Sequence, residues 1–99
     1  MVFEVAWTDN AKADFYSIIE YLEDEWSLKV AERFVEIFYN KIDLITSFPF
    51  VGMASVKDNS IRKILITKHN ALYYQVNENT ILLLDFFDTR QNPEKNLFD

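Results

Sequence analysis

The sequence predicts an α+β fold in the order β-α-α-β-β-β: a helical hairpin packed on one face of a small, mainly antiparallel sheet. Three observations carry that prediction. The chain opens on a short run with period-2 apolar spacing, continues through two apolar stripes at helical spacing, and closes on three strand-like runs joined by tight polar turns. At 99 residues, with 49% hydrophobic and 26% charged residues, it has material for one core and the composition of a globular chain. Two prolines and one glycine leave no stretch that reads as a linker, so residues 1–99 are expected to form a single domain.

Residues 2–7 place Phe3, Val5 and Trp7 on one strand face. Thr8 or Asp9 then supplies an N-cap oxygen for a helix. Along that helix Ala11, Phe15, Ile18, Ile19, Leu22 and Trp26 form the apolar stripe, with Lys12, Asp14, Glu20 and Glu23 outside it. Ser27 restarts the pattern. Val30, Ala31, Phe34, Ile37, Phe38, Ile42, Leu44 and Ile45 predict a second helix over about 28–47. Phe48 and Pro49 stop it, because the residue before a proline disfavours the α region. The connection at 24–27 is short enough to make the two helices antiparallel neighbours.

Gly52 reads as a positive-φ turn, and residues 53–60 read as a polar connector. The three later runs are strands joined by hairpin turns at Lys68, His69, Asn70 and at Asn77, Glu78, Asn79. Short connections make consecutive strands antiparallel. The last run is apolar on both faces, Ile81, Leu83 and Phe87 on one and Leu82, Leu84 and Phe86 on the other. Burying one such side chain is worth roughly 1.5–3 kcal/mol, so the second face should be covered too. The C-terminal segment, through Leu97 and Phe98, or the connector is the commoner kind of cover, and a partner chain is the alternative.

The charge is asymmetric. Residues 1–50 hold four cations against ten acids, residues 51–99 six against six, so the net −6 sits on the helical half. That balance argues against direct, sequence-independent nucleic-acid binding. The longest aliphatic run, Ile81 to Leu84, is far short of a membrane span, and Glu4, Asp9, Asp14 and Glu20 interrupt residues 1–20 where a signal peptide would need an apolar core. The absence of cysteine fits a reducing cytoplasm.

Catalytic and metal chemistry find little support. His69 is the lone histidine, and Glu23, Asp24 and Glu25 are consecutive on a helix, so their side chains diverge by about 100° per residue. No metal or cofactor is expected. One glycine excludes a Gly-rich phosphate loop. Asp85 and Asp88, at odd spacing, read as strand-end solvation or an ion pair with Arg90. The cations of the closing strands remain. Arg62 and Lys68 share a strand face, Lys63 points the other way, His69 follows in the turn and Arg90 leaves the last strand. Arg62, Lys68, His69 and Arg90 meeting at one edge would make a recognition surface, since arginine grips carboxylate or phosphate bidentately and histidine moves protons near neutral pH. The ordinary reading is solvated strand ends, with Arg62 paired to Asp85 or Asp88.

Several segments in order, VAWTDNAKAD at 5–14, IIEYL at 18–22 with Trp26, AERF at 31–34, Phe48 and Pro49 with Gly52, IRK at 61–63, ALYY at 71–74 and DTRQNP at 88–93, make the chain resemble the RelE/ParE superfamily of toxins from bacterial toxin–antitoxin systems. The resemblance implies the same β-α-α-β-β-β architecture and a cytoplasmic toxin neutralised by a cognate antitoxin. Two activities compete within it: RelE-like members cut messenger RNA on the ribosome, and ParE-like members poison DNA gyrase without an established reaction of their own. RNA cleavage needs a base, an acid and phosphate-binding cations. Residues 91–99 hold no Tyr or His, and the acidic balance opposes an RNA-lined site. The WTDNA opening and TRQNP ending look ParE-like. Three readings result. The first is a ParE-like toxin binding a protein target, with Arg62, Lys63, Lys68, His69 and Arg90 nearest the contact and Trp26, Phe34, Leu84 and Phe86 touching the antitoxin. The second is a ribosome-dependent endoribonuclease using His69 with Arg62, Lys68 and Arg90. The third is a toxin fold kept as a non-toxic binding module.

Overall fold

The computed structural model describes residues 3–91. Strand β1 (Glu4–Trp7) leads into helices α1 (Asp9–Glu25) and α2 (Leu28–Ser47), followed by strands β2 (Met53–Ala54), β3 (Ile61–Thr67), β4 (Asn70–Asn77) and β5 (Thr80–Asp88). The sheet order is β1-β5-β4-β3-β2; β1 runs parallel to β5 and every other pair is antiparallel. Both helices lie on one face. This is the expected α+β architecture with one addition: the polar connector contains β2, two residues that pair with Arg62 and Lys63 at the sheet edge. A two-residue strand leaves too little alternation to be read from sequence.

The caps explain where the helices start. Thr8 is extended (φ −77°, ψ 161°) and its hydroxyl accepts from the Ala11 amide at 3.1 Å; Ser27 does the same for Val30 at 3.1 Å. Between sheet and helices, Phe15, Phe34, Phe38 and Ile45 pack against Ile66, Leu72, Tyr74, Ile81, Leu83 and Phe86. Phe38 is fully enclosed, and rings of Trp7, Phe15 and Phe86 lie 5.4, 4.6 and 5.8 Å from its centroid, within the range of favourable aromatic pairs. Trp26 departs from the expected stripe: it is the C-cap of α1, just past the last regular turn, and stands 70% exposed.

One irregularity reassigns a strand face. Tyr74 pairs with Leu83 but Tyr73 with Asp85, so Leu84 is an extra residue in β5. This bulge shifts the alternation by one. Phe86 therefore joins Ile81 and Leu83 in the core, not Leu82 and Leu84 as regular parity implied. Thr8 pins the bulge: its hydroxyl donates to the carbonyls of Leu83 (2.9 Å) and Leu84 (3.0 Å), and its amide to Leu83 (3.1 Å). On β4 both faces are closed, since Ala71 and Tyr73 are buried alongside Leu72 and Tyr74; the Leu97 and Phe98 expected to cover the second face lie outside the described residues. Among the described residues no helix is long and apolar enough to cross a membrane.

Gly52 is needed for closeness and not for a left-handed turn. No described glycine has positive φ, which corrects the expectation of a positive-φ turn. A Cβ at Gly52 would lie 2.6 Å from the Tyr74 hydroxyl and 2.8 Å from the Lys63 carbonyl oxygen. The Gly52 amide donates to that hydroxyl at 3.0 Å, and the hydroxyl donates to Pro49 O at 2.8 Å. Burial, more than any other influence, pushes the Tyr74 phenol above its ordinary pKa.

Candidate functional site

A groove of about 960 Å³ opens between the helical hairpin and the far end of the sheet. The helices give it an apolar wall: Ile18, Leu22 and Trp26 from α1, Val30, Phe34 and Ile37 from α2. The opposite wall comes from the β3–β4 turn and the end of β5, with His69, Phe86, Phe87, Asp88 and Arg90. Asp14 and Arg33 are among its polar lining residues. Its volume is at the upper end for a small-molecule site.

The candidate antitoxin contacts separate clearly. Trp26, Phe34 and Phe86 all line this groove; Leu84, at the bulge, does not. Phe34 and Phe86 are 4% and 8% exposed and act as floor, whereas Trp26 offers most of its ring to solvent.

The candidate target-binding cations do not converge as a set. His69 and Arg90 reach the groove. Arg62 lies at the other end of the sheet, where its guanidinium donates to the carbonyls of Phe50 (3.0 Å) and Gly52 (2.8 Å) and stacks 4.8 Å from the Phe50 ring. It pairs with neither Asp85 nor Asp88, as the ordinary reading has it; the turn before strand β2 supplies carbonyls instead. Lys63 sits on the opposite face, its ammonium 6.0 Å from the Tyr73 ring centroid. Lys68 is exposed in the turn, and its carbonyl accepts from the Thr89 hydroxyl at 2.7 Å.

Two acidic groups have distinct surroundings. Asp88 takes both Arg90 Nε (3.0 Å) and Nη2 (2.7 Å), and the Arg90 amide (2.9 Å) as well. These hydrogen bonds hold its carboxyl down at a pKa of about 2. The expected ion pair with Arg90 is thus made, by Asp88. Asp85 is different. Burial, then a hydrogen bond and like charge from Asp14, push it up to about 7, against a smaller pull from the Phe86 amide. Asp14 Oδ2 also accepts from the Phe86 amide at 3.1 Å. Because β1 pairs with β5 only as far as Leu83, Asp14 supplies the acceptor that a longer β1 would have given. Nothing in the sequence links Asp14 to Asp85; only the bulge and the crossing of α1 over β5 bring them together. Arg33 is a lining residue that residue type does not single out, although its position three residues after Val30 puts both on one helical face.

Among the described residues, no group of three or more His, Cys, Asp or Glu could hold a metal ion. A helical hairpin on a five-stranded, mostly antiparallel sheet is the α+β architecture of a small toxin fold of the RelE/ParE type. A family model described as the ParE toxin of the type II toxin–antitoxin system parDE matches residues 5–93. The chain belongs to that ParE toxin family. Among solved structures it is similar to a chromosomal ParDE toxin–antitoxin system from P. aeruginosa, at 15% identity and TM-score 0.72 over 88% of this chain and 96% of that one. It is also similar to a YoeB/ParE toxin from Agrobacterium tumefaciens, at 17% identity and TM-score 0.62 over 86% and 97%. At these identities the likeness is one of fold. No curated protein matches it significantly.

Proposed function

We propose that this ParE-family chain acts in the bacterial cytoplasm by binding a protein target, DNA gyrase, and is held inactive by a cognate antitoxin whose segment fills the groove. The observation that carries this reading is the groove itself: an apolar helix wall, Trp26 held out as an anchor, and His69 and Arg90 at the same opening. Large aromatics and arginine are the residue types that dominate protein interfaces. An occupant of this groove would cover His69 and Arg90 by the same act, so neutralisation needs no change of fold. The similarity to a ParDE toxin–antitoxin system supports such a partner.

Of the candidate target contacts, we assign the main role to His69 and Arg90, which line the groove, and to the exposed Lys68, and at most an edge role to Arg62 and Lys63. The purified chain added to a gyrase supercoiling reaction should block supercoiling and accumulate cleaved DNA. Unchanged supercoiling with no cleaved complex rejects the target. One observation favours RNA cleavage, the shared groove of His69 and Arg90. Against it, Arg90 is already bidentate on Asp88 and Arg62 is committed to main-chain carbonyls, so the phosphate-binding set is not assembled. Primer extension on messenger RNA after induction separates the two, cut transcripts being the ribonuclease outcome.

A further inference from the structure

The helical hairpin carries a second, smaller hollow of about 200 Å³, and helix residues alone line it: Ile19 and Glu23 from α1, and Leu28, Ala31, Glu32 and Val35 from α2. Ala31 is its floor at 2% exposed, and that small side chain between two helices leaves the space open. Leu28 stands 62% exposed. Tyr16 and Tyr39, one turn along from Ile19 and Val35, are 67% and 51% exposed and carry the apolar strip onward. Glu23 and Glu32 are the charged lining residues, and no cation accompanies them. Neither carboxylate has a hydrogen-bond or ion-pair partner among the described residues. The groove gives no such sign, because its lining holds Asp14 and Asp88 as well as Arg33 and Arg90. The seam between the helices also lies in the half of the chain, residues 1–50, that carries the net −6.

Sign and size together narrow the occupant. A second copy set seam to seam, a nucleic-acid backbone or an anionic lipid surface would each bring negative charge to two unpaired carboxylates. A space of about 200 Å³ lies below the range of small-molecule sites and has room for one long side chain. Lysine and arginine meet both demands, since the aliphatic stem packs on Ile19, Leu28 and Val35 while the cation reaches the carboxylates. We propose that this seam is the contact for a basic, amphipathic helical segment of the toxin's protein target, one lysine or arginine of which seats its stem in the hollow and its charge on Glu23 and Glu32. This rests on the reading of the chain as a protein-binding toxin and adds the chemistry that its target brings. The strip from Leu28 to Tyr39 rises by roughly 16 Å, so about three turns of a docked helix cover it. The acidic hairpin also draws a basic segment in from solution, a rate advantage that salt removes.

The test begins with a synthetic three-turn helix of leucine and lysine at helical spacing, titrated by NMR into the isotope-labelled whole chain. It should shift the amides of Ile19, Glu23, Leu28, Glu32 and Val35, and the same peptide with glutamate for lysine should not. Glu23→Gln with Glu32→Gln should weaken its binding at least tenfold, and Leu28→Ser at least threefold. Glu4→Gln with Glu78→Gln removes the same charge away from the hairpin, at the start of β1 and in the β4–β5 turn, and should cost less than twofold. Thermal melts should place every variant within a few degrees of the parent, since all these side chains are exposed. In the gyrase supercoiling reaction the Glu23→Gln, Glu32→Gln variant should inhibit at least tenfold less well than the parent. Equal inhibition by the two overturns the seam and leaves the gyrase reading standing. If the parent does not inhibit at all, the gyrase reading falls and the peptide decides the seam. Shifts confined to it uphold it for another target. No shifts, shifts spread over the acidic surface, or equal losses in the Glu4→Gln, Glu78→Gln control overturn it. A parent dimer that Glu23→Gln with Glu32→Gln disperses would assign the seam to a second copy and overturn it as well.

Discussion

The two ends of the sheet each hold an arginine, and they use it in opposite ways. At the β2 end, Arg62 donates to two main-chain carbonyls, stacks on Phe50, and closes the turn that Gly52 and Tyr74 also hold. Its partners are backbone, and no ligand can take their place without moving the chain. At the groove end, among the described residues, the Arg90 guanidinium donates to the side chain of Asp88 and to no main-chain carbonyl. Charge and residue type are the same. What differs is whether the acceptor is part of the fold.

The comparison breaks most visibly at Gly52. Gly52→Ala drives a methyl into the Tyr74 hydroxyl and a backbone carbonyl, and should cost about 2–3 kcal/mol, read as a fall in Tm of about 10 °C or more. Tyr74→Phe strands the Gly52 amide and the Pro49 carbonyl, at a cost of about 1–3 kcal/mol in a urea melt. Both changes should lower toxicity only in proportion to the folded fraction. Groove variants should do the reverse. Trp26→Ala should leave the Tm nearly where it was, within about 0.5 kcal/mol, and weaken partner binding at least tenfold. A Gly52 or Tyr74 variant that lost partner affinity while staying fully folded would erase the distinction between the ends.

The smallest expected effect is on pH dependence. Asp85 has a folded pKa of about 7 against an ordinary 3.8, so its proton stabilises the folded state fully below the ordinary value, and that contribution is lost as pH rises through 7. Asp88, held at about 2, gives stability that disappears only as pH falls below the ordinary carboxylate range. Between pH 5 and 8 the Asp85 contribution therefore acts without interference from Asp88. Melts should show Asp85→Asn losing several degrees of the parent's Tm difference across that window; an unchanged difference would show that Asp14 and Asp85 do not share a proton.

How much of this was legible in the sequence depends on the range of the interactions involved. Helix starts follow from Thr8 and Ser27, the stop from Phe48 and Pro49, and strand order from short polar turns, all local signals. Regular parity puts Phe86 on the wrong face because a bulge is a pairing event: Leu84 looks like any other leucine until β4 and β1 are placed beside it. Gly52 suggested a turn, but its reason is Tyr74, twenty-two residues away. The site divides along the same line. Residue type points to His69, Arg90, Trp26, Phe34 and Phe86, and all five line the groove. Sequence groups Arg62 with them because strand parity shows which face a cation takes, not which carbonyls wait there.

Trp26 offers the most direct test that the groove end is the working surface. In a Trp7→Phe variant Trp26 is the remaining tryptophan, and its emission reports one wall of the groove. Saturating that variant with its antitoxin, itself prepared free of tryptophan, should shift the emission to the blue and protect it from acrylamide quenching. A stable complex in which Trp26 emits and quenches as it does in the free chain would place the antitoxin elsewhere and contradict the account.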